Sequence, residues 1–189
     1  LALSGLGLVR RGGSAPAATV PELAQATLTP LSVDPGDEID PSFAPDNDTI
    51  AYASDRSGDY EIYLQKTSGG PAINLTKDPG DDVQPAFSPD GRWIAYASPA
   101  SGNSSVFVRP AIGEGKWQVS PEFGSYPRWS GDGRELFYIG IGSPQRPLMA
   151  VSVEGGPVFR TGPPRVVVPD LSRYMTSTAP QVDWDAAPD

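Results

Sequence analysis

Residues 34–54 read DPGDEIDPSFAPDNDTIAYAS, and residues 78–98 read DPGDDVQPAFSPDGRWIAYAS. The two stretches align without a gap at an offset of 44 residues, with 13 of 21 positions identical. Self-similarity at a period of about 20–50 residues marks a repeat architecture, and it constrains the fold before any single element does. A third copy follows, with PRWSGDG at 127–133 standing 42 residues after PAFSPDG at 85–91. A fourth begins as DAAPD at 185–189, after an interval of 57 residues that leaves room for an insertion around 171–180.

Each unit holds four candidate strands, which in the second copy are 83–88, 92–98, 105–109 and 116–119. The SPDG between the first two is hairpin chemistry. Pro89 presets φ, Asp90 accepts from nearby backbone N–H groups, and Gly91 supplies a positive φ. The first copy has Asn47 in place of that glycine, and the third has Gly131 in place of Pro89 while keeping Gly133. Asn is the side-chain-bearing residue that tolerates a left-handed backbone best, so the substitutions preserve a turn geometry rather than a letter.

The second strand, Trp93-Ile94-Ala95-Tyr96-Ala97, is apolar on both faces. A strand of that kind is covered on both sides. In a unit of this length the cover is the unit before and the unit after. Ala51, Ala95 and Ala97 let neighbouring sheets approach, and Tyr52, Tyr96 and Tyr138 fill the space between them. Radial packing of four-stranded sheets at this period predicts an all-β fold, a β-propeller. The chain holds about three blades plus the start of another. Propellers of this kind usually close with about six or seven blades, so the stretch reads as an incomplete propeller and a fragment of a longer protein, with a ring assembled from several chains as the other reading.

The pattern PxFSPDGxxIAYxS, followed by a Gly-containing loop, EIYLQ at 61–65 and SGGPAINLT at 68–76, resembles the WD-repeat-like propeller repeat of the TolB family. Phe43-Ala44-Pro45-Asp46 with Ile50-Ala51-Tyr52, and Phe87-Ser88-Pro89-Asp90-Gly91 with Ile94-Ala95-Tyr96, carry that resemblance most closely. The tail LMAVSVEGGPVFRTGPPRVV at 148–167 is similar to late blades found at the C-terminus of bacterial membrane-anchored serine/threonine kinases and regulators. The resemblance implies a non-catalytic module that binds a protein, a peptide or a small ligand at a rim. It implies a periplasmic or otherwise extracytoplasmic place in a larger signalling protein. Two other settings of the same blades stay open: the gating propeller of a prolyl-oligopeptidase-type serine peptidase, whose hydrolase domain lies outside these residues, and a periplasmic TolB-like envelope protein.

Composition agrees and narrows the chemistry. Gly and Pro supply 43 of 189 residues, against about 12% in average usage. They are interleaved with apolar and aromatic runs that disordered chains lack. The net charge of −9 repels a phosphate backbone, so nucleic acid is not an expected partner. The absence of Cys excludes disulfide and thiolate chemistry, and the absence of His removes the usual base for a serine nucleophile. No G-x-S-x-G occurs, so no catalytic residue is expected here.

Paired carboxylates stand at equivalent points of two copies, Asp37-Glu38 and Asp81-Asp82. They are the candidate rim-loop binding residues. Turn chemistry between blades explains them, a hard cation such as Ca²⁺ would use the same oxygens, and an acid/base pair is a third reading. No other cofactor is expected. Trp93, Trp117, Trp129 and Trp184 read either as a ligand platform or, at strand positions, as core. Residues 1–30 stand apart: nine mostly apolar residues, then Arg10-Arg11, then an Ala/Pro/Thr-rich linker. That opening is either the end of a membrane anchor, which would tether the propeller at its N-terminus, or an apolar leader. The packed domain is expected over 31–189.

Overall fold

The structure is a computed structural model, and it describes residues 30–32, 34–99, 102–140 and 145–172. The chain divides after Pro30, and every described element belongs to the unit Leu31–Asp189. The apolar leader and linker at 1–29, Trp184 and the start of a fourth repeat lie outside the described residues.

The described elements are all strands. The first blade is the sheet β1 (Glu38–Phe43), β2 (Thr49–Ser54), β3 (Glu61–Lys66) and β4 (Ile73–Asn74), paired in chain order. The second is β5 (Val83–Phe87), β6 (Trp93–Ser98), β7 (Ser105–Pro110) and β8 (Trp117–Gln118), again in chain order. The third contains β9 (Ser125–Trp129), β10 (Glu135–Ile139) and β11 (Leu148–Glu154), and its outermost position is divided. There β12 (Arg160–Thr161) pairs with Val153 and Glu154, while β13 (Arg165–Val168) pairs with Leu148 to Ala150. The repeat pattern predicts one outer strand at this place. Gly162-Pro163-Pro164 interrupts it, because two consecutive prolines cannot donate to a ladder.

The hairpin turns behave as their residues demand. Asn47, Gly91 and Gly133 have φ of 57, 71 and 70°. Asp90 Oδ1 accepts the backbone N–H of Arg92 at 3.1 Å, and Asp132 Oδ1 that of Arg134 at 3.0 Å. Blades then pack face to face through the strands that are apolar on both sides. Ala51, Ala53, Ile62 and Leu64 of the first blade bury Ile94, Tyr96 and Phe107 of the second. Ala95, Val106 and Val108 of the second meet Trp129, Leu136, Tyr138 and Val151 of the third. The three repeat tyrosines are all buried, and burial pushes the Tyr138 hydroxyl up to about 12.

The innermost strands β1, β5 and β9 lie beside one another. Each carries a bulge, marked by a register shift at the same point of the repeat. The bulged residues are Asp40, Gln84 and Tyr126, all in the left-handed region at φ 54, 59 and 54°. A side-chain-bearing residue held there carries strain of about 1–3 kcal/mol unless its surroundings fix it. Here they do: Asp40 Oδ2 accepts the Gln84 N–H at 3.2 Å, and Gln84 Oε1 accepts the Tyr126 N–H at 2.8 Å. Each bulge thus holds the next.

Candidate functional site

The paired carboxylates lie at the end of the blades where the inner strands begin, on two different blades. They meet four different environments. Asp37 is exposed, and its N–H donates to Asp55 Oδ1 at 2.8 Å. Asp81 is exposed and its Oδ1 accepts the N–H of Tyr60, 21 residues before it, at 3.1 Å. Glu38 is paired with Arg56, whose Nη2 lies 2.6 Å from Oε1. Asp82, its repeat equivalent, is fully buried. Among the described residues no group of three or more His, Cys, Asp or Glu is placed to hold a metal ion.

The sequence reading missed Arg56, although it organises this rim. Its guanidinium also pairs with Asp34, donates from Nη2 to the Tyr52 hydroxyl at 3.0 Å, and sits 4.5 Å from the centroid of the Tyr63 ring. The second blade repeats the arrangement with a different cation from a different place in the chain. Lys116 Nζ pairs with Asp78, the equivalent of Asp34, and lies 4.3 Å from the centroid of Phe107, the equivalent of Tyr63. Each cation closes an aromatic pair at the blade face. Replacing Arg56 with Ala is expected to reduce stability by about 1–2 kcal/mol, because two half-exposed carboxylates lose their partner but regain water. Arg56→Lys should recover less than half, since a point charge cannot serve both carboxylates and the Tyr52 hydroxyl at once. Urea unfolding checks this, and an unchanged midpoint for Arg56→Ala would refute it.

Around Arg56 the rim is strongly acidic. Asp34, Asp37, Asp40 and Asp81 are exposed, with Asp55, Asp59 and Asp78 half-buried beside them. Tyr60 stands among these groups. Its hydroxyl is held above its ordinary value of 10.0 by partial burial first, then by Asp55, Asp37, Asp81 and Asp40. The opposite rim, formed by the hairpin turns, is charge-balanced. Asp90 faces Arg92 at 3.9 Å, Asp132 faces Arg134 at 3.7 Å and Asp48 faces Lys66 at 2.7 Å. A cleft of about 480 Å³ opens there between the second and third blades, over Trp93 and Trp129. Both tryptophans are buried, and Trp129 Nε1 donates to the Ala86 carbonyl at 3.0 Å, so they serve the core as strand positions imply.

Comparison with known proteins places this geometry. The family model described as the TolB β-propeller domain matches residues 8–158. No curated protein matches the sequence. Among solved structures, a TolB protein from Agrobacterium tumefaciens shares 20% identity at a TM-score of 0.59, the match covering 69% of this chain and 50% of that one. TolB from Acinetobacter baumannii gives 20% identity and a TM-score of 0.59, over 69% of this chain and 32% of its own. An oligogalacturonate lyase in complex with manganese is similar at 17% identity and a TM-score of 0.52, over 68% of this chain and 39% of that one. The chain thus spans half or less of the length of each of these proteins. Such likeness at low identity concerns the fold, whereas the family match covers most of the sequence and includes all three hairpin repeats. The chain belongs to the TolB β-propeller family.

Proposed function

We propose that this propeller is a non-catalytic protein-binding module whose acidic rim receives a basic segment of its partner. The observation that carries the reading is the charge difference between the two rims. One gathers Asp37, Asp40, Asp55 and Asp81 around Tyr60, and the other pairs its acids with Arg92, Arg134 and Lys66. Two cations on the acidic side, Arg56 and Lys116, are already spent on Asp34, Glu38 and Asp78. A surface of one sign steers an oppositely charged partner and fixes its orientation. In this reading Asp37 and Asp81 contact the partner directly. Glu38 holds Arg56 in place, and Asp82 lies beneath the surface.

The module acts outside the cytoplasm, as the sensor or scaffold part of a larger bacterial signalling protein. Family membership supports that placement, together with the likeness of 148–167 to the blades of membrane-anchored kinases and the apolar, Arg-flanked start of the chain.

A photo-crosslinking residue in place of Tyr60, in the host cell, should trap a partner through a segment rich in Lys and Arg. The same residue in place of Asp90, on the other rim, should not. Asp37→Lys with Asp81→Lys should weaken capture about tenfold while leaving the circular dichroism unchanged. Equal capture from both rims, or capture indifferent to the charge reversal, would sink the proposal.

A further inference from the structure

The repeat places Glu38, Asp82 and, in the third copy, Gly124 at one equivalent position. The molecule treats the charge differently each time. Arg56 neutralises Glu38. Gly124 removes the charge altogether, and the residues matching Glu61 and Thr76 in its setting are Ser105 and Ser120, two buried hydroxyls. Asp82 has neither remedy. It is fully buried, and the nearest amine, Lys116, is paired with Asp78 instead.

The surroundings of Asp82 are short of donors. Neither of its carboxylate oxygens accepts a well-formed hydrogen bond, although the Ser98 and Thr76 hydroxyls lie close to it, and the buried Tyr96 hydroxyl beside it is without a partner. The Thr76 hydroxyl lies against Asp82 but gives its proton to Glu61 Oε2 at 2.5 Å, while its oxygen accepts the Ile62 N–H at 2.9 Å. Glu61 is itself buried. Two carboxyl groups, one from each blade, therefore share an enclosed site. The Asp82 N–H, bonded to the Tyr60 carbonyl at 2.7 Å, fixes them across the interface. An uncompensated carboxylate in such a place takes up a proton.

We propose that Glu61 and Asp82 hold a proton between the first and second blades, and that this proton latches the two blades together. The remaining charged and titratable groups around the site do not substitute for it. Asp59 and Asp78, from the loops before β3 and β5, add negative charge. Lys116, from the loop before β8, and the Ser98 and Thr76 hydroxyls oppose the effect without overcoming burial. Arg109, on β7, is committed through Nη1 to the Leu75 carbonyl. Tyr96, on β6, stays protonated because burial raises its hydroxyl far above the ordinary range.

Burial likewise raises both carboxyls from their ordinary values of 3.8 and 4.5. For acids raised on folding, stability is fully present below the unfolded values and is lost as pH climbs through the folded ones. The latch is closed in acid and loosens towards neutrality and above. This inference does not depend on the partner-binding reading.

The test is thermal unfolding of the chain at about pH 5 and about pH 8, for the native sequence and for Asp82→Asn. Between those conditions the native Tm should fall by about 3–6 °C more than the variant's, since Asn carries the same shape without the charge. General charge repulsion acts on both and cancels in the comparison. A second measurement needs no variant. Hydrogen exchange at the Ile62 amide, bonded to Thr76, should speed up with pH relative to the Val106 amide, bonded to Ser120 in the charge-free equivalent. The expected change in that ratio is about tenfold. Should Asp82→Asn fail to fold, this ratio decides alone. Parallel Tm profiles, or a constant Ile62/Val106 ratio, would overturn the latch. So would millimolar calcium abolishing the pH dependence of the native chain, since the carboxyls would then be serving a cation.

Discussion

Trp93→Ala is expected to destabilise the chain by about 3–5 kcal/mol, the largest single-residue effect in the described blades. Trp93 is 9% exposed and meets Trp117 edge-on at a centroid distance of 5.7 Å and Phe159 at 5.3 Å. Phe159 in turn touches Trp117 at 5.7 Å and Trp129 at 6.3 Å. Four aromatic rings from two blades therefore close around one another, and removing Trp93 leaves a void that opens into the neighbouring cleft. Aromatic pairs add about 0.5–1.5 kcal/mol beyond the area they bury, so several contacts fail together. Stability in a stack of repeats is approximately a sum of unit and interface contributions. The loss should consequently fall on the second–third interface. In hydrogen exchange, the third-blade amides should become labile while those of β2 and β3 stay protected. Trp93→Phe should restore about half. A loss below about 1 kcal/mol, or uniform loosening of all three blades, would count against this account.

That cluster also shows where a repeat stops being readable. The positions matching Trp93 in the other copies are Thr49 and Glu135. Superposing repeats therefore reveals the hairpin and the buried Ala and Tyr positions, but not which copy will recruit an aromatic lock. Phe159 comes from the divergent tail and joins the core only through the fold of the third blade. The bulges were hidden for another reason. Asp40, Gln84 and Tyr126 share no chemistry; what they have in common is the position before Pro41, Pro85 and Pro127, and the Asp40 and Gln84 side chains each accept the N–H of the next bulge.

The rim was partly legible for a related reason. The carboxylates stand at equivalent points, so their end of the blades follows from the repeat. Their separate fates do not. Arg56 lies 22 residues after Asp34, but the cation that takes the same role for Asp78 lies 38 residues beyond it, in the β7–β8 connection. A side chain that reaches the same spot from a different loop leaves no periodic trace. Hence DPGDE and DPGDD look alike in sequence, while one ends in a paired surface acid and the other in a buried one.

The same divergence makes a consensus repair of the third copy harmful. Gly124→Ala is expected to destabilise by about 2–3 kcal/mol, and Gly124→Asp, which would restore the residue of the second copy, by more. A Cβ at Gly124 would lie 2.8 Å from both Cβ and Oγ of Ser120 and 3.0 Å from Cδ2 of Tyr138. None of these can retreat cheaply. Ser120 Oγ accepts the Val106 N–H at 2.8 Å, and Tyr138 is 1% exposed at the centre of the second–third interface. Aspartate would add to the overlap a buried carboxylate facing Ser105 and Ser120, with no Arg56 or Lys116 equivalent among the described residues to meet it. Surface consensus substitutions commonly stabilise proteins, so the expected sign here is opposite to the usual one. Denaturant unfolding of the two variants decides the matter. A neutral Gly124→Ala would mean that Ser120 and Tyr138 can move. In that case the third blade would be less tightly seated on the second than its buried residues require.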